Sequence, residues 1–339
     1  MTESRAPDAT VPLDALATLV VPLGTLADAV RLEGGYFATT YRVTLDDGTR
    51  VVVKTAPSDS SRLMTYEKDL IRTEALVYGL AAAHPGLRMP RLLHTDFTRT
   101  VLPGDVVVAS WLEGVPQSEA GFGSFDDDAR AARARRDLGA LIGRLANVTG
   151  TVFGYPQSPA LQATTWRAAF TAIVEALLAD AAAWDLEVSA DRVRAALAVH
   201  GHRLDEVVVP SLVHCDLWPG NLFVDPATGE VVGVIDPERA MWGEPLVDVV
   251  GADPMWDGLE RPEDAALVGS LDVSSPGPAA RLLLYRMWLG LVMTVEGSPR
   301  GYTGDWAQWY RTTSHGNLHR ALTALEALDL LDAGDPARV

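Results

Sequence analysis

Apolar residues recur along this chain in two rhythms, and the rhythm changes about a third of the way in. Tyr41, Val43 and Leu45 alternate with polar residues, Val51-Val52-Val53 is a continuous apolar run, and the two flank the turn Asp46-Asp47-Gly48-Thr49. Two short β-prone runs on either side of an Asp-Gly turn predict a β-hairpin. Leu13 to Val20 reads as a short apolar helix. Tyr66 to Ala83 carries Leu70, Ile71, Glu74, Val77 and Tyr78 at helical spacing, and Val106 to Ala109 is a further strand. Beyond Ser110-Trp111-Leu112-Glu113-Gly114 the pattern turns mostly helical. Asp126 to Val148 places Leu138, Leu141, Ile142, Leu145 and Val148 on one face behind an acidic start that suits the positive end of the helix dipole. Trp166 to Leu178, Val193 to Leu204, Ala279 to Val295 and Trp306 to Leu331 supply further helices. One hairpin interrupts them, with Leu222-Phe223-Val224 and Val231 to Ile235 around Asp225-Pro226-Ala227-Thr228-Gly229. The pattern predicts an α+β chain in two lobes: a small sheet-rich lobe over residues 1–109, a hinge at 110–114, and a larger helical lobe over 115–339.

Composition narrows the field. With 339 residues and 48 % hydrophobic content the chain can bury a substantial core. Its single cysteine, Cys215, excludes an intramolecular disulfide and fits a reducing cytoplasm. Met1 to Pro12 is polar and lacks the basic and apolar regions of a signal peptide. The longest apolar runs, Leu16 to Leu23 and Leu282 to Met293, are too short or too interrupted to span a membrane. A net charge of −17 argues against a nucleic-acid partner and favours a cationic small molecule over an anionic one.

The most informative stretch is His214-Cys215-Asp216-Leu217-Trp218-Pro219-Gly220-Asn221, followed by the strand that ends Val234-Ile235-Asp236. This is H-x-D-x-x-x-x-N, a hairpin, and a strand-terminal Asp, the set that kinase-type phosphoryl transfer requires. Asp216 is the candidate base for an attacking hydroxyl. A hairpin returns its second strand beside its first, so Asn221 and Asp236 meet at its open end as candidate Mg2+ ligands for a bound ATP. Lys54 closes the Val51-Val52-Val53 strand, where an ammonium reaches nucleotide phosphates. Glu74, on the inward face of the next helix, is its expected partner, with Glu67 as the rival. Gly34-Gly35 precedes the first hairpin and offers a backbone able to pass close over phosphates. The backbone around Ser110, Trp111 and Leu112 would meet the adenine edge.

Two absences argue against a protein substrate: Cys215 replaces the arginine and Trp218 the lysine that protein-serine kinases carry around the catalytic Asp. The loop between Asp236 and Asp248 is also too short for an activation segment. Together with Ile235-Asp236-Pro237-Glu238 and Gly243-Glu244-Pro245-Leu246-Val247-Asp248, the catalytic run resembles the aminoglycoside phosphotransferase and fructosamine kinase superfamily. That resemblance implies a two-lobed protein-kinase-like fold, with a small antiparallel-sheet lobe above a mainly helical one. It implies Asp216 as base, Asn221 and Asp236 as metal ligands, Lys54 on the phosphates with Glu74 orienting it, His214 as scaffold and Asp248 as the anchor of the loop. Cys215 stands where the family usually has glycine. The acceptor region is expected among the C-terminal helices and loops, where acidic and aromatic residues such as Glu296 and Tyr302 are dense; Asp253 and Asp257 are the candidate substrate contacts. Carboxylates beside aromatic faces suit an amine-bearing, sugar-like acceptor: an aminoglycoside, a ketosamine or an amino sugar. The alternatives are a catalytically silent nucleotide-binding pseudokinase and a metal-dependent phosphoesterase using His214, Asp216 and Asp236, which leaves Lys54 and Glu74 unexplained.

Overall fold

The computed structural model describes residues 10–32, 37–255 and 265–333. Helix α1 (Leu13–Val20) lies over one face of an antiparallel sheet built from β1 (Leu26–Leu32), β2 (Thr39–Leu45) and β3 (Arg50–Thr55). Helix α2 (Leu70–Ala83) follows, then β4 (Leu92–Asp96) and β5 (Val106–Ser110), giving the strand order β1-β2-β3-β5-β4 among the described residues. Alternation decides which side chain faces where. Tyr41, Val43, Val51, Val53, Val106 and Val108 join Leu16, Leu19 and Val20 of α1 in one apolar cluster. Lys54, one step out of phase with Val53, therefore points to the opposite face, paired in register with Val107. The same parity keeps Lys54 in the cleft below the sheet. Truncating Leu16, which is fully buried against the sheet, to Ala would cost about 2–5 kcal/mol.

The two strands that carried no clear alternation, β1 and β4, are the sheet's two edges. Each buries little, so neither needed a strict apolar face. Helix α2 also starts later than its periodicity predicts. Residues 65–67 form a 3-10 turn closed by the Glu67 carboxylate, which accepts from the Met64 N–H at 2.9 Å, and Asp69 then adopts φ 60° before the helix begins at Leu70.

The connecting segment 111–114 leads into β6 (Val115–Pro116), which pairs with the catalytic hairpin rather than with the first sheet. Gly114 makes that turn at φ +102°, where a Cβ would lie 2.8 Å from the Val224 carbonyl oxygen. Helix α3 (Ala129–Ala146) is capped by Asp128, which accepts from the Arg130 N–H at 2.9 Å. Next come β7 (Phe153–Gly154), β8 (Gln162–Ala163), α4 (Trp166–Ala183) and α5 (Ala190–His200), and α5 ends in a 3-10 turn over Gly201–Glu206 instead of continuing as one helix. The catalytic region comprises β9 (Ser211–Val213), the hairpin β10 (Leu222–Val224) and β11 (Val231–Val234), β12 (Met241–Gly243) and α6 (Leu246–Gly251). The short α7 (Ala265–Val268) and the long α8 (Pro276–Glu296) and α9 (Gly304–Ala333) complete the helical lobe. No helix among the described residues is long and apolar enough to cross a membrane.

One core spans the lobes. The inner face of α2 (Leu70, Ile71, Val77) packs into the same cluster as Leu141 of α3, Phe170 of α4 and Leu291 of α8. The connection between β3 and α2 is fastened to the helical lobe as well. Arg62 donates to the Pro299 and Ser298 carbonyls at 2.7 and 3.0 Å, and Thr65 donates through its N–H and hydroxyl to Asp180, both at 2.8 Å.

Candidate active site

The loop after β9 is held from below. Asp248, fully buried in α6, accepts from the backbone N–H groups of His214 (2.9 and 3.1 Å) and Cys215 (2.8 Å). Burial pushes its carboxyl up to about 7 despite those donors. Cys215 sits at φ 69°, the left-handed region that glycine enters freely. A close approach on the other side is met by Gly251, whose Cβ would fall 2.9 Å from the Cys215 carbonyl oxygen. His214 ties the loop to β11: its Nε2 donates to the Ile235 carbonyl at 3.0 Å and its Nδ1 accepts from the Asp216 N–H at 3.3 Å. Burial holds the imidazole down at about 4, so it is neutral and serves as a strut.

Asp216 and Asn221 then face each other. The Asn221 amide donates to the Asp216 carbonyl at 2.9 Å and to its Oδ2 at 3.2 Å, which leaves the Asn221 Oδ1 without a hydrogen bond among the described residues. The hairpin closes as expected, with the Ile235 N–H donating to the Asn221 carbonyl at 3.0 Å. Asp236 follows in a left-handed conformation, φ 66°, its N–H donating to the Tyr78 hydroxyl at 3.4 Å. Burial pushes the Asp216 carboxyl up to about 6, a push that Arg239 opposes and the Asp236 and Glu296 charges reinforce.

Lys54 reaches this point from the sheet above. Its ammonium contacts Glu74 at 2.7 Å, Glu238 at 2.8 Å, and Asp236. Glu74 is thus its partner on α2, and Glu67 is not: the Glu67 carboxylate binds Arg300 instead, at 2.5 and 3.0 Å. Burial alone would lower the Lys54 ammonium, yet the Asp236, Glu238 and Glu74 charges hold it well above its ordinary value. Glu238 is pushed up to about 8, by burial first and then by the Asp236 charge. The ligand atoms of Glu74, Asp236 and Glu238 all lie within 4.8 Å of one another.

On the other side of Asp216 lies a second buried cluster. Arg239 binds Glu296 at 2.7 Å, and Arg300 bridges Glu296 (3.4 Å) and Glu67. The Tyr310 hydroxyl donates to Glu296, and the Arg300 guanidinium lies 5.9 Å from the centre of the Phe37 ring. Glu238 and Arg239 follow Asp236 after Pro237, so their chemistry was within reach of a closer reading of that strand end. Arg300 and Glu67 are joined across 233 positions, and no local pattern announces such a pair.

The remaining candidates are placed unevenly. The Ser110 hydroxyl accepts from the Arg91 N–H at 2.9 Å, holding β4 to β5. The Leu112 side chain packs over Gly233, where a Cβ would come within 2.5 Å of it. Asp253 is held by Arg135 of α3 through contacts of 2.5 and 3.3 Å, away from Asp216's own partners. Gly34, Gly35 and Asp257 lie outside the described residues.

A family model described as the phosphotransferase enzyme family matches residues 28–282, three quarters of the chain. The chain belongs to that family. Among solved structures it is similar to a thermostable mutant of the aminoglycoside phosphotransferase APH(4)-Ia in ternary complex with AMP-PNP and hygromycin B, with TM-score 0.62, 19 % identity, and coverage of 90 % of this chain and 97 % of that one. It is likewise similar to a protein from Thermobifida fusca, a candidate fructosamine-3-kinase, at TM-score 0.60 and 20 % identity, covering 94 % of this chain and all of that one. A third likeness is to aminoglycoside 2'-phosphotransferase-IIIa in its GDP complex, at TM-score 0.54 and 15 % identity, covering 91 % and 98 %. At these identities the structural likeness shows the fold alone. No curated protein matches the sequence.

Proposed function

We propose that the protein transfers the γ-phosphoryl group of ATP to a hydroxyl of a small, sugar-like acceptor, with Mg2+ as cofactor. The observation that carries this reading is the meeting of Asp216, Asn221, Asp236 and Lys54 in one cleft between the sheet and the helical lobe. Asp216 takes the proton of the acceptor hydroxyl as its oxygen bonds to the γ-phosphorus, and the bond from that phosphorus to the β-phosphate oxygen breaks to release ADP. Lys54, aimed by Glu74, holds the phosphates. The backbone at Ser110 and Leu112 takes the adenine edge, and the Gly34-Gly35 loop covers the phosphates. The nucleotide-binding lobe is residues 1–109, the hinge 110–114, and the acceptor-binding lobe 115–339.

The donor set suits a hard divalent cation. One ammonium faces three carboxylates within 4.8 Å of one another, an excess of negative charge in a buried place. The Asn221 Oδ1, without a hydrogen bond among the described residues, adds a neutral oxygen of the kind magnesium accepts. Asp236 and Asn221 would hold it, with Glu238 close enough to assist. When bound, the cation neutralises phosphate charge as the transferring group loosens.

The acceptor class is argued from the family and from the neighbour that binds hygromycin B, a hydroxylated small molecule. The test is release of nucleoside diphosphate from Mg-ATP over a panel of aminoglycosides, ketosamines and amino sugars, with Asp216→Asn as control. Acceptor-dependent release that disappears in the mutant supports the reading. Nucleotide binding with no acceptor-dependent release across the panel refutes it.

A further inference from the structure

Lys54 and Glu74 meet at 2.7 Å, yet the chain that joins β3 to α2 is held largely by the helical lobe. Arg62 donates to the carbonyls of Pro299 and Ser298, in the turn between α8 and α9, at 2.7 and 3.0 Å. Its guanidinium also lies over the Trp184 ring, 5.1 Å from the centre. Thr65 donates twice to Asp180 of α4 at 2.8 Å, and Glu67 accepts from Arg300 at 2.5 and 3.0 Å. Between them the Tyr66 ring stacks on Tyr155 at 5.4 Å, and the Tyr66 carbonyl accepts from the Gln157 amide at 3.0 Å. The hold extends onto α2 itself, where the Thr73 hydroxyl donates to the Gln157 Oε1 at 2.6 Å.

Packing divides along the same line. Leu16 and Leu19 of α1 share a cluster with Val43, Val53 and Val108 on the upper face of the sheet. Leu70, Ile71 and Val77 of α2 lie instead in the cluster of α3, α4 and α8, to which the sheet side contributes Phe37, Ala38 and Val107. Toward the sheet, Arg72 of α2 pairs with Asp105 at 2.6 Å, from a side chain 44 % exposed and therefore partly screened by solvent. The three carboxylates around the Lys54 ammonium come from α2 and from the segment after β11, both on the helical side.

We propose that α2 works as part of the helical lobe, and that Arg62, Thr65 and Glu67 are positioning residues for Lys54. They fix where Glu74 stands, and Glu74 fixes where the ammonium points. The assignment rests on the nucleotide binding proposed above and deepens it. The seam between the two bodies then runs between the sheet and α2, and Lys54 crosses it. Coupling of this kind travels through packed and hydrogen-bonded contacts, so a weakened clasp lets α2 drift and costs the lysine its aim. The adenine edge at residues 110–112 belongs to neither the clasp nor α2 and keeps its geometry. A clasp that served only the fold would lower the melting temperature and leave affinities alone, or weaken every part of the nucleotide alike.

The experiment measures calorimetric binding of adenosine and of Mg-ADP to the full chain. It compares wild type with Arg62→Met and Thr65→Val, each alone and combined with Glu74→Gln. Arg62 is exposed, and Thr65→Val keeps the backbone bond to Asp180, so both variants are expected to fold. Arg62→Met is expected to weaken Mg-ADP about tenfold and adenosine less than about twofold. Arg62→Lys should restore part of that loss, since an ammonium still donates to one carbonyl, and Thr65→Val should show the same pattern at smaller size. In the Glu74→Gln background neither variant should weaken Mg-ADP further, because the route runs through Glu74. Equal loss of both ligands, no loss of either, or a loss that adds in full to that of Glu74→Gln overturns the positioning role and leaves the kinase reading intact. A wild type that binds Mg-ADP no more tightly than adenosine takes Lys54 off the phosphates and overturns both. The expected pattern without phosphorylation of any acceptor supports the clasp and refutes the transfer reaction alone.

Discussion

Two charge clusters flank Asp216, and they are built on opposite principles. On the nucleotide side, one ammonium is set against three carboxylates. Around Arg300, two guanidinium groups meet two carboxylates. The first is short of positive charge, and Glu238 within it is pushed up to about 8, by burial first and then by the Asp236 charge. The first cluster is thus left electrostatically unfinished, whereas the second is finished in charge.

That contrast can be broken or sharpened experimentally. The largest effect is expected from Asp216→Asn, which removes the base between the clusters. Turnover should fall by about 10²–10⁴-fold with nucleotide affinity retained, measured by ADP release and by nucleotide binding. Glu67→Gln comes next. It leaves the buried Arg300 short of a counter-charge and should lower unfolding free energy by about 3 kcal/mol in urea titrations, whereas a change near zero would mean the balance around Arg300 is not structural.

The nucleotide side should show its imbalance through pH. A carboxyl raised to about 8 in the folded state binds its proton more tightly than in the unfolded chain. Its contribution to stability is full below its ordinary range and is lost as pH rises from about 4.5 to 8. Asp216 and Asp248, raised to about 6 and about 7, slope the same way. Without Mg2+ the urea midpoint should therefore decline across that window, and Glu238→Gln should flatten its upper half. Added Mg2+ should stabilise the protein more at pH 8 than at pH 5; equal shifts at both would separate Glu238 from the cation. The smallest effect is expected at Asp253, whose carboxylate is committed to the nearly buried Arg135. Asp253→Asn should change the acceptor KM by less than about twofold while costing about 1–2 kcal/mol of stability.

How far the sequence carried depended on distance along it. The run His214 to Asn221, the hairpin and the strand-ending Asp236 fall within 23 positions, and their meeting follows from spacing because a hairpin's geometry is local. Lys54 was legible from its place at the end of the Val51-Val52-Val53 strand. Edge strands β1 and β4 stayed hidden because a strand with one bare side has no obligation to alternate. The cluster around Arg300 was out of reach because Glu67, Arg239, Glu296 and Arg300 come from three distant stretches that only tertiary packing unites. Glu296 and Tyr302 were visible as acidic and aromatic residues in the right region. Their arginine partners, which cancel the charge that made the region look cation-binding, were not.

Cys215 has a use beyond its backbone conformation. It is the chain's only cysteine, it is buried, and burial pushes its thiol well above the usual range. A thiol reagent therefore meets nothing reactive until the loop lifts off Asp248 and admits solvent. The rate of labelling then reports the opening free energy of the catalytic loop itself, one residue from Asp216, in a protein that needs no engineered probe. Nucleotide and acceptor, added separately, would each register in that rate according to how firmly they keep the loop shut.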